Sequence, residues 1–186
     1  MIETTYRLRV FPATVIHEKA TRLGLAYLII GGHAINAYGE PRATLDVDLV
    51  VRKDDRAGWS TLLEAEGFRP YREEGSFAQF SPPYGVPWRL DLMLVNSETF
   101  GKLTASAQTV KCFGIETRVP SPEHLVAMKL HAIRHGPAER FEKDFGDILT
   151  LARNGKVIPE SGSLKEIFER YGTSTLYEQF RAKLKT

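Results

Sequence analysis

Apolar and polar residues alternate in two short segments of the chain, and this alternation predicts two β-strands. In segment 45–51 (LDVDLVV) the apolar residues at odd positions share one face, whereas Asp46 and Asp48 share the other. Segment 88–95 (WRLDLMLV) has leucines on one face and Asp91 on the opposite face. Successive strand residues point to opposite sides. Both strands are therefore predicted to bury an apolar face and to direct carboxylates away from it.

The rest of the pattern predicts a mixed sheet followed by helices. Apolar runs bounded by glycine and proline predict further strands at 26–30, within 68–80 and within 108–119. Helical periodicity predicts helices at 13–24, 33–38, 55–66, 122–135, 139–153, 163–171 and 174–184. We therefore predict an α+β fold, with a mixed β-sheet core over 1–120 and a helical C-terminal region over 121–186 packed on that core.

Composition places the chain among ordinary globular proteins. Its 186 residues are 42% hydrophobic and 26% charged, and a net charge of +2 argues neither for nor against a nucleic-acid partner. The single cysteine, Cys112, rules out an intrachain disulfide and fits a reducing cytosol. No run approaches the roughly 20 apolar residues of a membrane helix, and residues 1–16 lack a signal-peptide core. We therefore expect a cytoplasmic protein without a membrane span.

The carboxylates on the two strands are candidate metal ligands. Asp46 and Asp48 are two strand residues apart, which separates their backbones by about 6–7 Å. Like charges this close raise each other's pKa or need a cation between them, and Mg²⁺ prefers carboxylate oxygens while leaving positions for phosphates. If the two strands are neighbours, Asp91 adds a third carboxylate, and such a trio can hold two metals for nucleotidyl transfer. The alternative is a solvated face of a one-sided sheet.

A Gly31-Gly32 pair follows the predicted strand 26–30 and is a candidate phosphate-binding turn. Glycine lets the backbone approach a ligand closely, and N–H groups at the start of a following helix can hold phosphate oxygens. The pair precedes Asp46 by 14 residues, a spacing that one helix can span. Gly-Gly often forms only a turn, so the phosphate-binding interpretation of this pair depends on the aspartates that follow.

The C-terminal helices carry further candidates. Lys129 falls within the apolar arc of helix 122–135, where its ammonium must either extend out to water or meet an anion. That anion is either a triphosphate or a carboxylate of the core. In helix 139–153, Asp144 lies at the edge of the inward face, whereas Asp147 lies further out and could support it. Acidic residues favoured by a helix dipole are the alternative for both aspartates.

Taken together, Gly31-Gly32, LDVDLVV and RLDLM resemble the nucleotidyltransferase superfamily related to polymerase beta. That superfamily combines a Gly-Gly or Gly-Ser turn, a spacer helix, an aspartate-bearing strand and a later third carboxylate. The pattern R-x-T-x-D-x-D, which includes Arg42 and Thr44, looks most like the AbiEii/AbiGii toxin-type nucleotidyltransferases and their uncharacterised relatives. Lys129 and the later KDFGD fit the same group, and the resemblance covers residues 26–152.

The resemblance implies a Mg²⁺-dependent enzyme that moves NMP from ATP or another NTP to an acceptor hydroxyl. The acceptor would be an RNA 3′ end, a protein or an aminoglycoside-like small molecule, and the protein could be the toxin of a toxin–antitoxin pair. It assigns catalysis and metal binding to Asp46, Asp48 and Asp91, with Asp91 also accepting the acceptor's proton. It assigns nucleotide binding to a second set of residues: Gly31, Gly32, Arg42, Thr44, Lys129 and Asp144.

Two other functions use the same residues. A nucleotide-binding module or toxin–antitoxin interaction protein could keep the site without turnover. A metal-dependent hydrolase is less favoured, because none of the five histidines is paired at ligand spacing near the aspartates. An RNA acceptor would need a basic path, for which the candidates are Arg89, Lys129, Arg134 and Arg140.

Overall fold

The computed structural model describes residues 12–39 and 41–185. Residues 1–11, which belong to the predicted core domain and to the segment without a signal-peptide core, lie outside the described residues. The strands are β1 Tyr27–Ile30, β2 Asp46–Arg52, β3 Arg69–Glu73, β4 Phe77–Ser81, β5 Arg89–Val95, β6 Gln108–Cys112 and β7 Ile115–Val119. The α-helices are α1 Pro12–Arg22, α2 Gly31–Tyr38, α3 Arg56–Ala65, α4 Ser97–Ala105, α5 Pro122–His135, α6 Phe141–Arg153, α7 Gly162–Tyr171 and α8 Ser174–Leu184.

Five strands form one mixed sheet in the order β1-β2-β5-β4-β3, and β6 pairs with β7 in a separate hairpin. The β2–β5 pair is parallel, whereas the β1–β2, β4–β5 and β3–β4 pairs are antiparallel. Because β2 and β5 are neighbours and run the same way, equivalent positions of the two aspartate-bearing strands lie side by side. The predicted α+β fold with a mixed sheet is confirmed.

One face of the sheet carries the main hydrophobic core. The alternate residues of β2 and β5 that face it are fully or almost fully buried: Val47, Leu49, Val51, Leu90, Leu92 and Leu94. Trp59 and Leu63 of α3 and Phe80 of β4 belong to the same cluster, as do buried residues of α1 and α2. Leu45, which the sequence placed on this face, is instead exposed, because β2 begins one residue later, at Asp46.

A smaller hydrophobic cluster lies on the face that also carries the aspartates. It joins Val50 of β2 and Ile30 of β1 to Phe100 and Leu103 of α4. The sequence analysis missed α4, because its sequence SETFGKLTA offers only these two buried apolar side chains. Asn96 caps the helix by accepting a hydrogen bond from the backbone N–H of Thr99 at 2.8 Å. This helix covers the Val50 end of the face and leaves the aspartate end to other elements.

The C-terminal helices share the main core with the sheet. The main cluster contains residues from both sides of Pro120, including Leu49 and Ile148. This shared core does not test the division into two domains at residue 120, which stays a prediction. The Tyr38 hydroxyl of α2 donates to the Pro120 carbonyl at 2.8 Å, across this boundary. In the described part of the chain, no helix is both long and apolar enough to cross a membrane.

Candidate active site

Asp48 and Asp91 lie directly beside each other at paired positions of β2 and β5. Both side chains point to the face opposite the main core. Burial, together with the charge of Asp91, raises the pKa of Asp48 to about 6. The parallel register therefore places two carboxylates where at least one ionises reluctantly unless a cation is near.

Asp91 has one oxygen engaged and one without a donor. Its Oδ2 accepts a hydrogen bond from Nε2 of Gln79, the paired residue of β4, at 2.7 Å. Its Oδ1 is buried and accepts no hydrogen bond from the described residues. Burial raises the pKa of Asp91, although the hydrogen bond from Gln79 opposes that rise. A buried carboxylate oxygen without a donor is suited to a cation or to a substrate proton.

Asp46 is more open and is held by a different partner. Its Oδ1 accepts a hydrogen bond from Nε of Arg89, the paired residue of β5, at 3.1 Å. Across residues 12–39 and 41–185, no three His, Cys, Asp or Glu side chains are grouped so that they could share a metal ion. The adjacent carboxylates of Asp48 and Asp91, one with an oxygen that lacks a donor, nevertheless fit the preference of a hard cation. Asp46 could complete that set only after separating from Arg89.

The Gly31-Gly32 pair forms the first turn of α2 and lies against the aspartate strand. Gly31 has φ of +63°, and a Cβ placed on it would lie 2.0 Å from Oδ2 of Asp48. A Cβ on Gly32 would lie 2.7 Å from Oγ1 of Thr44. Only residues without side chains fit at these two positions. No side chain caps the N-terminus of α2, so its backbone N–H groups are available to an anion beside Asp48.

The segment before β2 is fixed to α2 and α6 by Arg42. Its backbone N–H donates to Oδ1 of Asn36 at 3.0 Å, and its carbonyl accepts from Nδ2 of Asn36 at 2.9 Å. Its guanidinium donates from Nε and Nη2 to the two carboxylate oxygens of Asp147, both at 2.8 Å. This hydrogen bonding raises the pKa of Arg42. Arg42 therefore links the Thr44 segment to the helical region.

Lys129 meets carboxylates of the neighbouring helix. Its Nζ lies 2.7 Å from Oδ1 of Asp144 and 2.7 Å from Oδ2 of Asp147, and Arg140 approaches Asp144 at 3.3 Å. The lysine is 7% exposed, and the two aspartates are 0% and 2% exposed. Of the two anions that the sequence left open, the structure therefore shows core carboxylates next to Lys129. Lys129 and Arg42 contact the same oxygen, Oδ2 of Asp147, so the lysine lies beside the guanidinium of Arg42.

The placement of Asp147 further out was wrong. Asp147 is buried and binds both Arg42 and Lys129. Burial alone would raise the pKa of Asp147, but the hydrogen bonds from Arg42 and Lys129 and their charges outweigh it and lower that pKa. The helical projection placed Asp147 further out than Asp144, because a projection cannot show a charged partner from another segment. Asp144 is fully buried against Lys129 and Arg140, and its role in nucleotide binding stays a prediction.

The sequence analysis also missed Gln79. The alternation in FAQFS places it opposite Ala78 and Phe80, so the face could have been predicted, but its pairing with Asp91 needs the strand order. Of the proposed basic path, Arg89 contacts Asp46 and Arg140 contacts Asp144. Arg134 lies on the exposed side of α5. These arginines do not form a single continuous stripe with Lys129.

Comparison with solved structures shows which fold this is. The chain is similar to ANT(2'')-Ia, an antibiotic-resistance factor solved in complex with adenylyl-2''-tobramycin. The two sequences are 18% identical, the match covers 94% of this chain and 98% of that chain, and the TM-score is 0.60. It is similar to the lincomycin-bound lincosamide antibiotic adenylyltransferase LnuA, with 14% identity, coverage of 75% and 94%, and a TM-score of 0.55. The chain has a nucleotidyltransferase fold.

A third solved structure is also similar to this chain. It is the antigenic nucleotidyltransferase-like protein of Paracoccidioides brasiliensis, with 18% identity, 91% of each chain covered and a TM-score of 0.53. No protein-family model and no curated protein matches the sequence. In this nucleotidyltransferase fold, Asp46 and Asp48 lie near the end of the sheet where β1 finishes and β2 and β5 begin.

Proposed function

We propose that the protein is a Mg²⁺-dependent nucleotidyltransferase that moves NMP from an NTP to an acceptor hydroxyl. The observation that carries the proposal is the side-by-side placement of Asp48 and Asp91, with the first turn of α2 closed against Asp48. Carboxylates for a cation and free backbone N–H groups for phosphates thus lie next to each other. Metal-assisted phosphoryl chemistry needs this combination.

In this proposal Asp48 and Asp91 would hold the divalent cation, and Asp46 would complete the set once it is separated from Arg89. When bound, the cation offsets the negative charge of the phosphates and of the leaving pyrophosphate. The acceptor oxygen forms a bond to the α-phosphorus while the bond to the β-phosphate bridging oxygen breaks. Asp91 accepts the hydroxyl proton at Oδ1, the oxygen without a donor.

The nucleotide would bind between the sheet and α6. The backbone N–H groups of Gly31 and Gly32 face the phosphates, and the Thr44 hydroxyl lies beside Gly32. The cations of Arg42 and Lys129 border the same space, and Asp144 holds Lys129 in place. These assignments follow from the contacts among the residues and from the resemblance of the sequence motifs.

The finer class is the AbiEii/AbiGii toxin type, which we infer from the R-x-T-x-D-x-D pattern. Its acceptor would be a small hydroxylated molecule, an RNA 3′ end or a protein, and an antitoxin would be its partner. The fold likeness to ANT(2'')-Ia and LnuA supports testing small molecules first. The half-buried free thiol of Cys112 is consistent with a cytoplasmic location.

The activity is tested with α-labelled NTPs, Mg²⁺ and three acceptor pools: antibiotics, total RNA and cell protein. We expect label transfer that falls to background in Asp46→Asn/Asp48→Asn and in Asp91→Asn. Asp54→Asn, at an exposed aspartate outside the site, is the matched control and should retain full transfer. Transfer that persists undiminished in both site variants would reject the assignment.

A second candidate is a nucleotide-binding module without turnover. The observation in its favour is the pairing of Lys129 with both Asp144 and Asp147, which engages the ammonium with carboxylates of the protein itself. Calorimetry separates the two functions. Tight binding of Mg·NTP without product from any acceptor pool favours the module, whereas binding accompanied by label transfer favours the enzyme.

A further inference from the structure

Two aspartates of α6 hold three cations that come from three other places in the chain. Asp144 and Asp147 lie three residues apart on one side of the helix and are almost completely buried. Lys129 of α5 contacts both carboxylates at 2.7 Å, Arg42 contacts Asp147 through two bonds of 2.8 Å, and Arg140 contacts Asp144 at 3.3 Å. Positive charges outnumber negative ones in this network.

The cations of this network lie close to the proposed phosphate position. The Nη2 atom of Arg42 is 3.3 Å from where a Cβ of Gly32 would be, so the guanidinium borders the first turn of α2. The ammonium of Lys129 contacts Oδ2 of Asp147, the same oxygen that accepts a hydrogen bond from Nη2 of Arg42. Arg42 and Lys129 therefore lie together beside the first turn of α2.

We propose that Asp147 is a positioning residue for the triphosphate: it holds Arg42 and Lys129 where they meet the phosphates and does not itself contact the nucleotide. This inference rests on the proposed function. A carboxylate that accepts two parallel bonds from a guanidinium fixes the plane of that group as well as its distance. The burial of Asp147 keeps water from competing for either bond.

The backbone of Arg42 is fixed independently, which makes the role of Asp147 separable. Asn36 binds the N–H and the carbonyl of Arg42, so the segment before β2 keeps its anchor when Asp147 changes. A change at Asp147 releases the guanidinium of Arg42 and the ammonium of Lys129 from their bonds to this carboxylate. Lys129 then keeps only its contact with Asp144, and the guanidinium of Arg42 loses both of its bonds to α6.

The direction of the change in nucleotide Kd distinguishes a positioning role from a purely electrostatic effect. Asp147→Asn removes a negative charge near a polyanion, so electrostatics alone predicts tighter binding of the nucleotide. Positioning predicts weaker binding, by about tenfold or more, as found when a residue that orients a binding group is removed. A merely structural role predicts a lower melting temperature with an unchanged Kd.

The experiment is calorimetry on the full chain with Mg²⁺ and each of four non-hydrolysable NTP analogues, with thermal unfolding measured in parallel. Glu142→Gln is the matched control, because it makes the same charge change at an exposed position of α6. We expect Asp147→Asn to raise Kd about tenfold or more and Glu142→Gln to leave Kd unchanged or slightly lower. An unchanged or lower Kd in Asp147→Asn overturns the positioning role.

A conservative variant covers the case in which Asp147→Asn does not fold. Asp147→Glu keeps the charge and moves the carboxylate by one methylene, so positioning predicts a raised Kd here too, and an unchanged Kd overturns it. Failure of the proposed function has a different signature. Binding of the analogues by the wild-type chain without label transfer rejects the enzyme and leaves the positioning role to be decided by Kd, whereas a wild-type chain that binds none of the four analogues overturns both.

Discussion

Asp48 of β2 and Asp91 of β5 lie side by side on a parallel strand pair, next to the first turn of α2. The pairing costs free energy in the absence of a cation, because burial and the charge of Asp91 raise the pKa of Asp48 to about 6. The folded chain therefore binds a proton at Asp48 more tightly than the unfolded chain does. Stability must then fall as pH rises from about 4 to about 6.

Asp48→Asn should abolish this loss of stability. Above pH 6 the wild-type carboxylate is ionised in an unfavourable place, so the variant should exceed wild type by about 1–3 kcal/mol in the free energy of unfolding at pH 7.5. At pH 4, where Asp48 is protonated in the folded chain, the difference should vanish. Urea denaturation at the two pH values measures this, with exposed Asp54→Asn as the control. An equal difference at both pH values would contradict the assignment.

Gly31→Ala should lower both stability and nucleotide binding. Its φ of +63° is unfavourable for alanine, and the added Cβ would overlap the Asp48 carboxylate. The strain of the left-handed conformation alone is about 1–2 kcal/mol. Displacing Asp48 adds to this cost and moves a proposed metal ligand.

Gly101→Ala is the control for Gly31→Ala. Gly101 lies in α4, where a Cβ would meet no atom within 4 Å. That change should stabilise the chain by about 0.5–1 kcal/mol and leave nucleotide binding intact. Chemical denaturation and calorimetry measure both effects. A Gly31→Ala chain as stable as wild type would show that the close approach to Asp48 is not required.

Gln79→Leu should slow transfer without weakening nucleotide binding. The amide of Gln79 donates to Oδ2 of Asp91 at 2.7 Å and so fixes the orientation of the carboxylate whose Oδ1 has no donor. Loss of a residue that hydrogen-bonds to a metal-ligating side chain and orients it typically lowers activity about 10- to 100-fold. Steady-state kinetics should show this loss in kcat with KM for the NTP little changed. Gln108→Leu, at an exposed position of β6, is the control; an unchanged kcat in Gln79→Leu would exclude the role.

Arg89→Gln should strengthen binding of a divalent cation. Arg89 lies 3.1 Å from Asp46 and occupies the carboxylate that the cation needs. Exposed ion pairs contribute about 0.2–1 kcal/mol, so removing this one should lower the Kd for Mn²⁺ by up to about fivefold. Electron paramagnetic resonance of free Mn²⁺ measures the change. Arg72→Gln, whose partner is Glu74, should leave the Kd unchanged, and a weaker Mn²⁺ affinity in Arg89→Gln would refute competition at Asp46.

Part of the sheet was predictable from the sequence, because burial alternates along β5 and along the first half of β2. The two faces of LDVDLVV and WRLDLML can be assigned from local order alone, and all four predicted C-terminal helices are present within two residues of their expected bounds. The register that sets Asp48 beside Asp91 is not a local property. It follows from which strands pair and in what direction, and a single chain sequence does not encode that in any short window.

The parts that could not be predicted depend on contacts between distant segments. Asp147 appears polar and outward on a helical projection, and only the approach of Arg42 and Lys129 explains its burial. The role of Gln79 depends on its pairing with Asp91 of the neighbouring strand β5. Helix α4 has too few apolar residues for a periodic signal, and its place is fixed by Phe100 and Leu103 meeting Val50.

The ion pair between Arg42 and Asp147 joins residues 105 positions apart. A nascent chain that has been made only as far as β7 contains all the sheet carboxylates but neither aspartate of α6. Arg42 then lacks the carboxylate that orients it, and Lys129 of α5 has not yet been made. The cationic half of the nucleotide site therefore assembles only when synthesis has passed α6, so a ribosome-bound fragment that ends earlier carries the aspartates without a competent phosphate site.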